Sequence, residues 1–415
     1  MSDIPSKIET VIIGGGQAGL AVSHHLALSG QEHIILEQER VAQSWRSRRW
    51  DSFRLVIPNG LWDMPGMTYQ GDDPEGFMSK QEIAAEFDRY VSRCKPPLVS
   101  GLRVTGVRRQ AGGQGYEVAH EGGATAAHNV VVATGAYQAL RVPAWSADVA
   151  RGVLQVSSDG YKNPGQLPPG GVLVVGSGQS GVQIADELLH AGHDVFLSVG
   201  SCGWLPRRYR ERDVTWWLCK MGFLETTVDT LPSPKARSAC FPQLTGLAGG
   251  RTLNAHVLAE QGTILLGRAC GGNGYRVSLA GDLEENLAKA DAFTAQVRQA
   301  IDQCAAHLGM GAASDDEWPR YGHPRTEPVR ELDLAACGVR TIVWAAGYWP
   351  DFSWIDIPIF DLSGYPAHRR GVTDEPGLFF AGLPWLYRRR SATLLAGDED
   401  AAHLAAAVNT RCVVR

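Results

Sequence analysis

The stretch VIIGGGQAGLAVSHHLAL at 11–28 returns at 172–189 as VLVVGSGQSGVQIADELL, with the first turn glycines 162 positions apart (176 − 14). Each copy reads as an apolar strand, a glycine turn and a helix. A chain carrying two such units is held to an α/β class built on parallel sheets. In the first turn, Gly14 permits the tight strand-to-helix reversal, Gly16 lets a pyrophosphate approach the backbone, and Gly19 lets the helix pack on the strand. The helix start, at Gln17 and Ala18, offers unpaired N–H groups and a partial positive charge to phosphates. Residues 34–36 form the next expected strand, which ends at Glu37 and Gln38. A carboxylate at this position suits the ribose hydroxyls of an adenosine.

The second turn repeats the spacing as Gly176, Gly178, Gln179, Ser180 and Gly181. Glu37 stands 23 positions after Gly14, and 23 positions after Gly176 stands Val199 (176 + 23). The ribose acid is therefore missing, which favours a ribose bearing a 2′-phosphate. Downstream, LPRRYRERD supplies Arg207 and Arg208, with Arg210 close behind, as candidates to grip that phosphate. These residues predict FAD in the first cradle and NADPH in the second, a two-unit flavoprotein.

The rest of the chain frames these two turns. Residues 81–94 read as a helix, 104–109 and 116–120 as an antiparallel ribbon, and 129–134 as a buried strand ending at Thr134 and Gly135. The Pro/Gly-rich segments 163–171 and 315–328 bracket the second unit, which predicts two Rossmann-like domains with the NADPH domain inserted into the FAD domain. The expected boundaries are 1–152 and 327–415 for FAD and 153–326 for NADPH. A long helix is expected from Asp282 as cap, with Glu284 and Glu285 in its first turn and Leu287, Phe293, Val297, Ile301 and Leu308 on one side. Further strands are expected at 341–344, before Ala346 and Gly347, and at 378–381.

At 415 residues the chain is long enough for two sizeable cores. Its net charge of −5 gives no reason to expect nucleic acid or acidic lipid. The eight cysteines form no Cys-x-x-Cys pair, and the twelve histidines show no metal-ligand spacing. The opening residues lack signal-peptide character, and no apolar run is long enough to span a bilayer, so a cytoplasmic location is expected.

The whole chain resembles the class B flavin monooxygenases, a group spanning flavin-containing, N-hydroxylating and Baeyer–Villiger-like enzymes. The resemblance rests on VIIGGGQAGL, SWRSRRWDSFRL at 44–55, VVVATG at 130–135, LVVGSGQSGVQIA, VWAAGYWPDFSWI at 343–355 and FFAGLPWLYRRRSA. One departure stands out. In the family signature F-x-G-x-x-x-H-x-x-x-(F/Y), anchored on Tyr161, Ser157 occupies the histidine position.

The resemblance implies hydride transfer from NADPH to FAD, then reaction with oxygen to give a flavin C4a-(hydro)peroxide. That species would oxygenate a small organic substrate, most readily at nitrogen or sulfur. It further implies Asn59 beside the peroxide, Trp45 and Arg46 over the flavin or adenine, and Tyr387 along the flavin ring. The tryptophan-rich stretch 201–255 and the loop 62–69 are candidate pocket walls, and a homodimer is a possible assembly. Baeyer–Villiger oxygenation of a ketone, or an NADPH oxidase or quinone reductase, remains open as an alternative. A flavin disulfide reductase is disfavoured, because residues 38–93 contain no cysteine and the second unit has no close pair in sequence.

Overall fold

The computed structural model describes residues 4–112, 114–311, 318–322, 327–396 and 398–413. The first unit opens with β1 (Lys7–Ile13), α1 (Gln17–Leu28) and β2 (His33–Glu37), followed by α2 (Lys80–Cys94) and β3 (Leu98–Ser100). The α2 start carries a capping box. Ser79 Oγ accepts from the Glu82 N–H at 3.2 Å, and the Ser79 N–H donates to Glu82 Oε2 at 2.7 Å. Then come β4 (Val104–Arg109), β5 (Tyr116–His120) and β6 (Gly123–Val132).

The second unit contains β7 (Leu154–Ser157), β8 (Gly171–Val175), α3 (Gln179–His190), β9 (Val195–Ser198), α4 (Val214–Lys220), β10 (Ile264–Leu266), α5 (Leu283–His307) and β11 (Val339–Trp344). The chain closes with β12 (Ile355–Asp356), β13 (Leu378–Phe380) and α6 (Glu399–Val413).

An eight-stranded sheet runs in the order β12-β4-β5-β6-β1-β2-β3, with β13 also paired to β6. Its centre is parallel: β1 pairs with β2 and β6, and β6 with β13. The 104–120 ribbon gains a third antiparallel strand, because β6 begins at Gly123 and pairs back on β5 before turning parallel to β1. The second sheet, β7-β11-β8-β9-β10, is parallel throughout. In β8, Val172 and Val174 pack into one core while Leu173 and Val175 pack into another. Burial of both faces explains why these strands are continuous apolar runs. Each such side chain contributes roughly 1.5–3 kcal/mol by leaving water.

Three expectations are corrected here. The strand at 341–344 was expected in the first unit. As β11 it instead lies between β7 and β8 of the second sheet, so that sheet draws a strand from beyond residue 326. Asp282 stands at the N-cap of α5 but makes no side-chain cap. Its carboxylate accepts from the Arg268 backbone N–H at 2.8 Å and Nε at 2.7 Å. Leu308 falls beyond the helix and is 53% exposed. Much of the expected 315–328 connection lies outside the described residues. Among the described residues, no helix is long and apolar enough to cross a membrane, and no group of three or more His, Cys, Asp or Glu residues could hold a metal ion.

Candidate functional site

Both glycine turns adopt a backbone that only glycine accepts comfortably. Gly14 has φ +108° and Gly176 φ +109°. A Cβ on Gly14 would sit 2.6 Å from the Ala133 carbonyl oxygen, and one on Gly176 would sit 2.5 Å from that of Ala345. Gly19 and Gly181 are pressed against the Gly14 and Gly176 carbonyls so tightly that any side chain would collide. Gly16 and Gly178 behave differently, since a Cβ on either would meet nothing within 4 Å. These two open onto empty space, as a glycine does where a phosphate is to approach the backbone. Each is also the N-cap of its helix, with no side-chain cap and no acidic residue in the first turn. The helix-start N–H groups are thus left for an anion.

The turns are supported alike from the neighbouring strand. Ala133 and Thr134 back the first turn as Ala345 and Ala346 back the second. They part at the ribose position. Glu37 Oε2 accepts from the Gly15 N–H at 2.7 Å and Oε1 from the Glu39 N–H at 3.0 Å. In the second unit the corresponding bond is reversed: the Gly200 N–H donates to Ser177 Oγ at 2.9 Å, and Val199 is an apolar, buried residue.

A cleft of about 750 Å³ joins the two turns. Gly14, Gly16, Gln17, Ala18, Glu37, Gln38, Trp45, Thr134 and Gly135 line it from the first unit, and Gln179 and Ser180 from the second. Gly19, Gly176, Gly178, Gly181, Ala346 and Gly347 are not among the residues that line it. One end of the cleft is polar, with Glu37, Glu39, Arg40, Arg48 and Arg103. The other is apolar, where Val56, Leu218, Leu224, Phe241, Leu244 and Leu395 belong to one hydrophobic cluster.

Several expected site residues are placed elsewhere. Arg46 turns out to Asp88, donating to Oδ1 at 2.7 Å and Oδ2 at 2.6 Å. Asn59 is buried and fully engaged: Nδ2 donates to the Asp73 carbonyl at 2.9 Å, and Oδ1 accepts from the Met78 N–H at 2.6 Å. It closes a loop and lies outside the cleft lining. Arg207 is 2% exposed, pairs with Asp213 at 2.5 Å, donates to the Val56 carbonyl at 2.8 Å and lies 4.2 Å over the Phe77 ring. A guanidinium so committed does not serve a 2′-phosphate. Arg208 is exposed on a short ribbon with Asp213, and Arg210 pairs with Asp302.

Tyr387 lies between Arg370 and Arg388, and residues 391–396 line the cleft in its place. Trp62, Trp204 and Trp217 are core side chains, while the stretch 201–255 lines the cleft through Thr215, Leu218, Leu224, Phe241, Pro242 and Leu244. Ser157 turns the chain, its hydroxyl bonded to Asp159 Oδ1 at 2.5 Å and to the Gly160 N–H at 3.2 Å. The adjacent Ser158 reaches the cleft.

Sequence reasoning missed Arg49. It lines the cleft with its guanidinium 5.0 Å from the Trp45 ring and 5.7 Å from Phe53, and burial pushes its pKa down. It stands four positions after Trp45 but beyond the short helix Gln43–Ser47, so no helical periodicity marked it. Also missed was a thiol pair. Cys202 and Cys240 are 38 positions apart (240 − 202), yet Cys202 Sγ lies 3.4 Å from the carbonyl of Phe241, the residue next to Cys240.

Two glycine-turn units sharing one cleft define an α/β oxidoreductase built to hold two nucleotides. Residues 11–218 match the family model described as pyridine nucleotide-disulphide oxidoreductase. A relative designated oxidoreductase CzcO-like, from Geobacillus kaustophilus, is 30% identical over 405 residues, covering 96% of this chain and 97% of that protein. The flavin-containing monooxygenase from Stenotrophomonas maltophilia shares the fold with a TM-score of 0.68 and 17% identity, over 98% of this chain and 99% of that one. OTEMO in complex with FAD and NADP superimposes with a TM-score of 0.58 and 15% identity, over 99% of this chain and 85% of that one. The chain belongs to the pyridine nucleotide-disulphide oxidoreductase family, and its full-length likeness extends to flavin monooxygenases.

Proposed function

We propose that this protein is an FAD- and NADPH-dependent monooxygenase in which an FAD domain holds an inserted NADPH domain. The observation that carries this reading is a single cleft fed by two glycine turns and ending in an apolar wall. Bound FAD supplies two-electron chemistry, taking reducing equivalents from NADPH and delivering them to oxygen.

The chain's own groups do the rest. Gly14, Gly16 and Gly19, with the N–H groups at Gln17 and Ala18, bind the FAD pyrophosphate, and Glu37 takes the adenosine ribose. Gly176, Gly178 and Gly181, with Gln179 and Ser180, bind the NADPH pyrophosphate. The preference for NADPH rests on Val199 standing where a carboxylate would repel a 2′-phosphate, without help from Arg207. Trp45 and the Arg49 guanidinium stacked on it close one side of the cleft. Val56, Leu218, Leu224, Phe241, Leu244 and Leu395 keep water from the reacting end. The side chains of that wall are all apolar, which favours a small apolar substrate oxygenated at a soft sulfur or uncharged nitrogen.

The test is NADPH turnover by the FAD-loaded protein under ¹⁸O₂ with a panel of thioethers, tertiary amines and ketones. Substrate-stimulated NADPH consumption with one labelled oxygen in the product is expected. Stoichiometric peroxide with no labelled product would replace this reading with an oxidase, and a labelled ester from a ketone would move it to Baeyer–Villiger chemistry.

A further inference from the structure

The segment from Cys240 to Leu244 is a strap laid across the second glycine turn. Gln179 Nε2, on the first residue of α3, donates to the Pro242 carbonyl at 2.8 Å, and Gln183 Nε2 donates to that of Leu244 at 2.6 Å. Gln243 Nε2 donates back to the Ser177 carbonyl at 2.6 Å. Phe241 and Pro242 line the cleft. The strap also runs parallel to the segment that follows β9. Trp204 and Gln243 are bridge partners, and the Gln243 N–H donates to the Gly203 carbonyl at 2.8 Å.

That register brings two thiols together at the end of the strap. Cys202 Sγ lies 3.4 Å from the Phe241 carbonyl oxygen, one residue from Cys240, so the register of the strap sets the two thiols side by side. Cys202 is buried and Cys240 exposed. The neighbouring Cys240 thiol and burial push the Cys202 thiol up, while the neighbouring Cys202 thiol pulls Cys240 down. Cys240 is thus the more acidic of the two thiols and stands on the more exposed residue, and the buried Cys202 is placed to resolve it.

We infer that Cys202 and Cys240 form a peroxide-responsive disulfide that clamps the strap over the second nucleotide turn. The Cys240 thiolate attacks one oxygen of hydrogen peroxide, giving the sulfenic acid and hydroxide. The Cys202 thiol then displaces water from that sulfenic sulfur, forming the S–S bond. Two thiols lose two electrons, and hydrogen peroxide, the oxidant, is reduced to two waters. Closing the thiol pair to an S–S bond of about 2.05 Å draws Cys240 inward, and Phe241 and Pro242 move with it. The Gln179 contact at the helix start is carried along, so the change reaches the second turn. The sulfur chemistry is independent of the proposed monooxygenation. The choice of NADPH as readout rests on that reading.

The test uses the FAD-loaded protein and reagent hydrogen peroxide. Expected are a mass loss of two hydrogens, a Cys202–Cys240 linked peptide on non-reducing digestion, and a roughly threefold or larger change in the NADPH KM with FAD content unchanged, all reversed by dithiothreitol. Cys240→Ser is expected to keep the untreated activity and to give neither the link nor the KM change. Cys202→Ala is expected to leave Cys240 at the sulfenic acid, trapped by dimedone. Oxidation confined to the exposed Cys219, Cys270 and Cys337, without a Cys202–Cys240 link, would overturn the proposal. A link with no change in nucleotide binding, measured as NADP⁺ affinity so that failed turnover does not obscure it, would overturn the clamp.

Discussion

The Glu37 carboxylate accepts the Gly15 N–H at 2.7 Å, so the acid that ends β2 is held inside the turn that follows β1. This fixes the free face of the carboxylate towards the cleft that Glu37 lines. A charge-assisted bond of this kind contributes more than a neutral one. Glu37→Ala is expected to weaken FAD binding roughly 10- to 100-fold, and Glu37→Gln, which keeps an acceptor, by less. Flavin fluorescence on titrating the apoprotein measures both. Unchanged affinity in the alanine variant would remove Glu37 from the FAD site.

Gly176 carries the equivalent turn of the second unit at φ +109°, against the Ala345 carbonyl. Gly176→Ala combines backbone strain of about 1–3 kcal/mol with a collision. We expect the NADPH KM to rise at least about tenfold while FAD content stays full. Loss of FAD instead would show that the two turns are not separate sites.

Arg207 was expected from sequence to contact a phosphate, yet it is paired with Asp213 in the core. Removing one partner of a buried pair leaves the other charge uncompensated, at a cost of about 3–5 kcal/mol. Arg207→Met should therefore lower the urea midpoint strongly, and adding Asp213→Leu should restore much of it. The NADPH-to-NADH preference of the folded Arg207→Met fraction should not change.

Asn59→Ala leaves the buried Met78 N–H without its acceptor, which costs about 1–3 kcal/mol. Denaturant titration should show that loss. The fraction of NADPH oxidation coupled to product should match the parent enzyme, and a collapse in coupling would return Asn59 to the chemistry.

His368 gives a pH dependence of known sign. Burial, with Arg237 nearby, pushes its pKa from 6.5 down to about 4. Its Nδ1 accepts from the Gly371 N–H at 3.2 Å, which requires the neutral ring. Stability from this residue is full above pH 6.5 and falls as pH drops towards 4, because the unfolded chain takes up a proton that the folded one refuses. Between pH 7.5 and 5 the loss should approach about 2 kcal/mol, measured by denaturant titration. His368→Gln should flatten that slope.

The repeated strand–turn–helix unit was legible because its signal is local. Three glycines at fixed spacing answer to contacts within a few residues, and Glu37 is found by counting along one strand. The helix 80–94 was legible for the same reason, since its capping box and apolar side lie within its own length. The strand Val339–Trp344 was legible as a strand but not as a member of the second sheet. An apolar run states that both faces are buried and says nothing about its neighbours.

The arginines show most clearly what the sequence left open. LPRRYRERD reads as a set of equivalent cations, but Asp213 takes Arg207 into the core, Asp302 takes Arg210, and Arg208 and Arg212 stay exposed. In the same way Arg46 and Arg49, three positions apart, are sent to Asp88 and to the cleft by the turn of the chain between them. Cys202 and Cys240 became a pair only when the strap bridged Trp204 to Gln243. The sequence by itself determined the two cradles and their difference at Glu37 and Val199, because glycine backbone freedom and strand register are local properties. The tertiary structure alone decided which charged and thiol groups meet, because partners distant in the chain are chosen by packing.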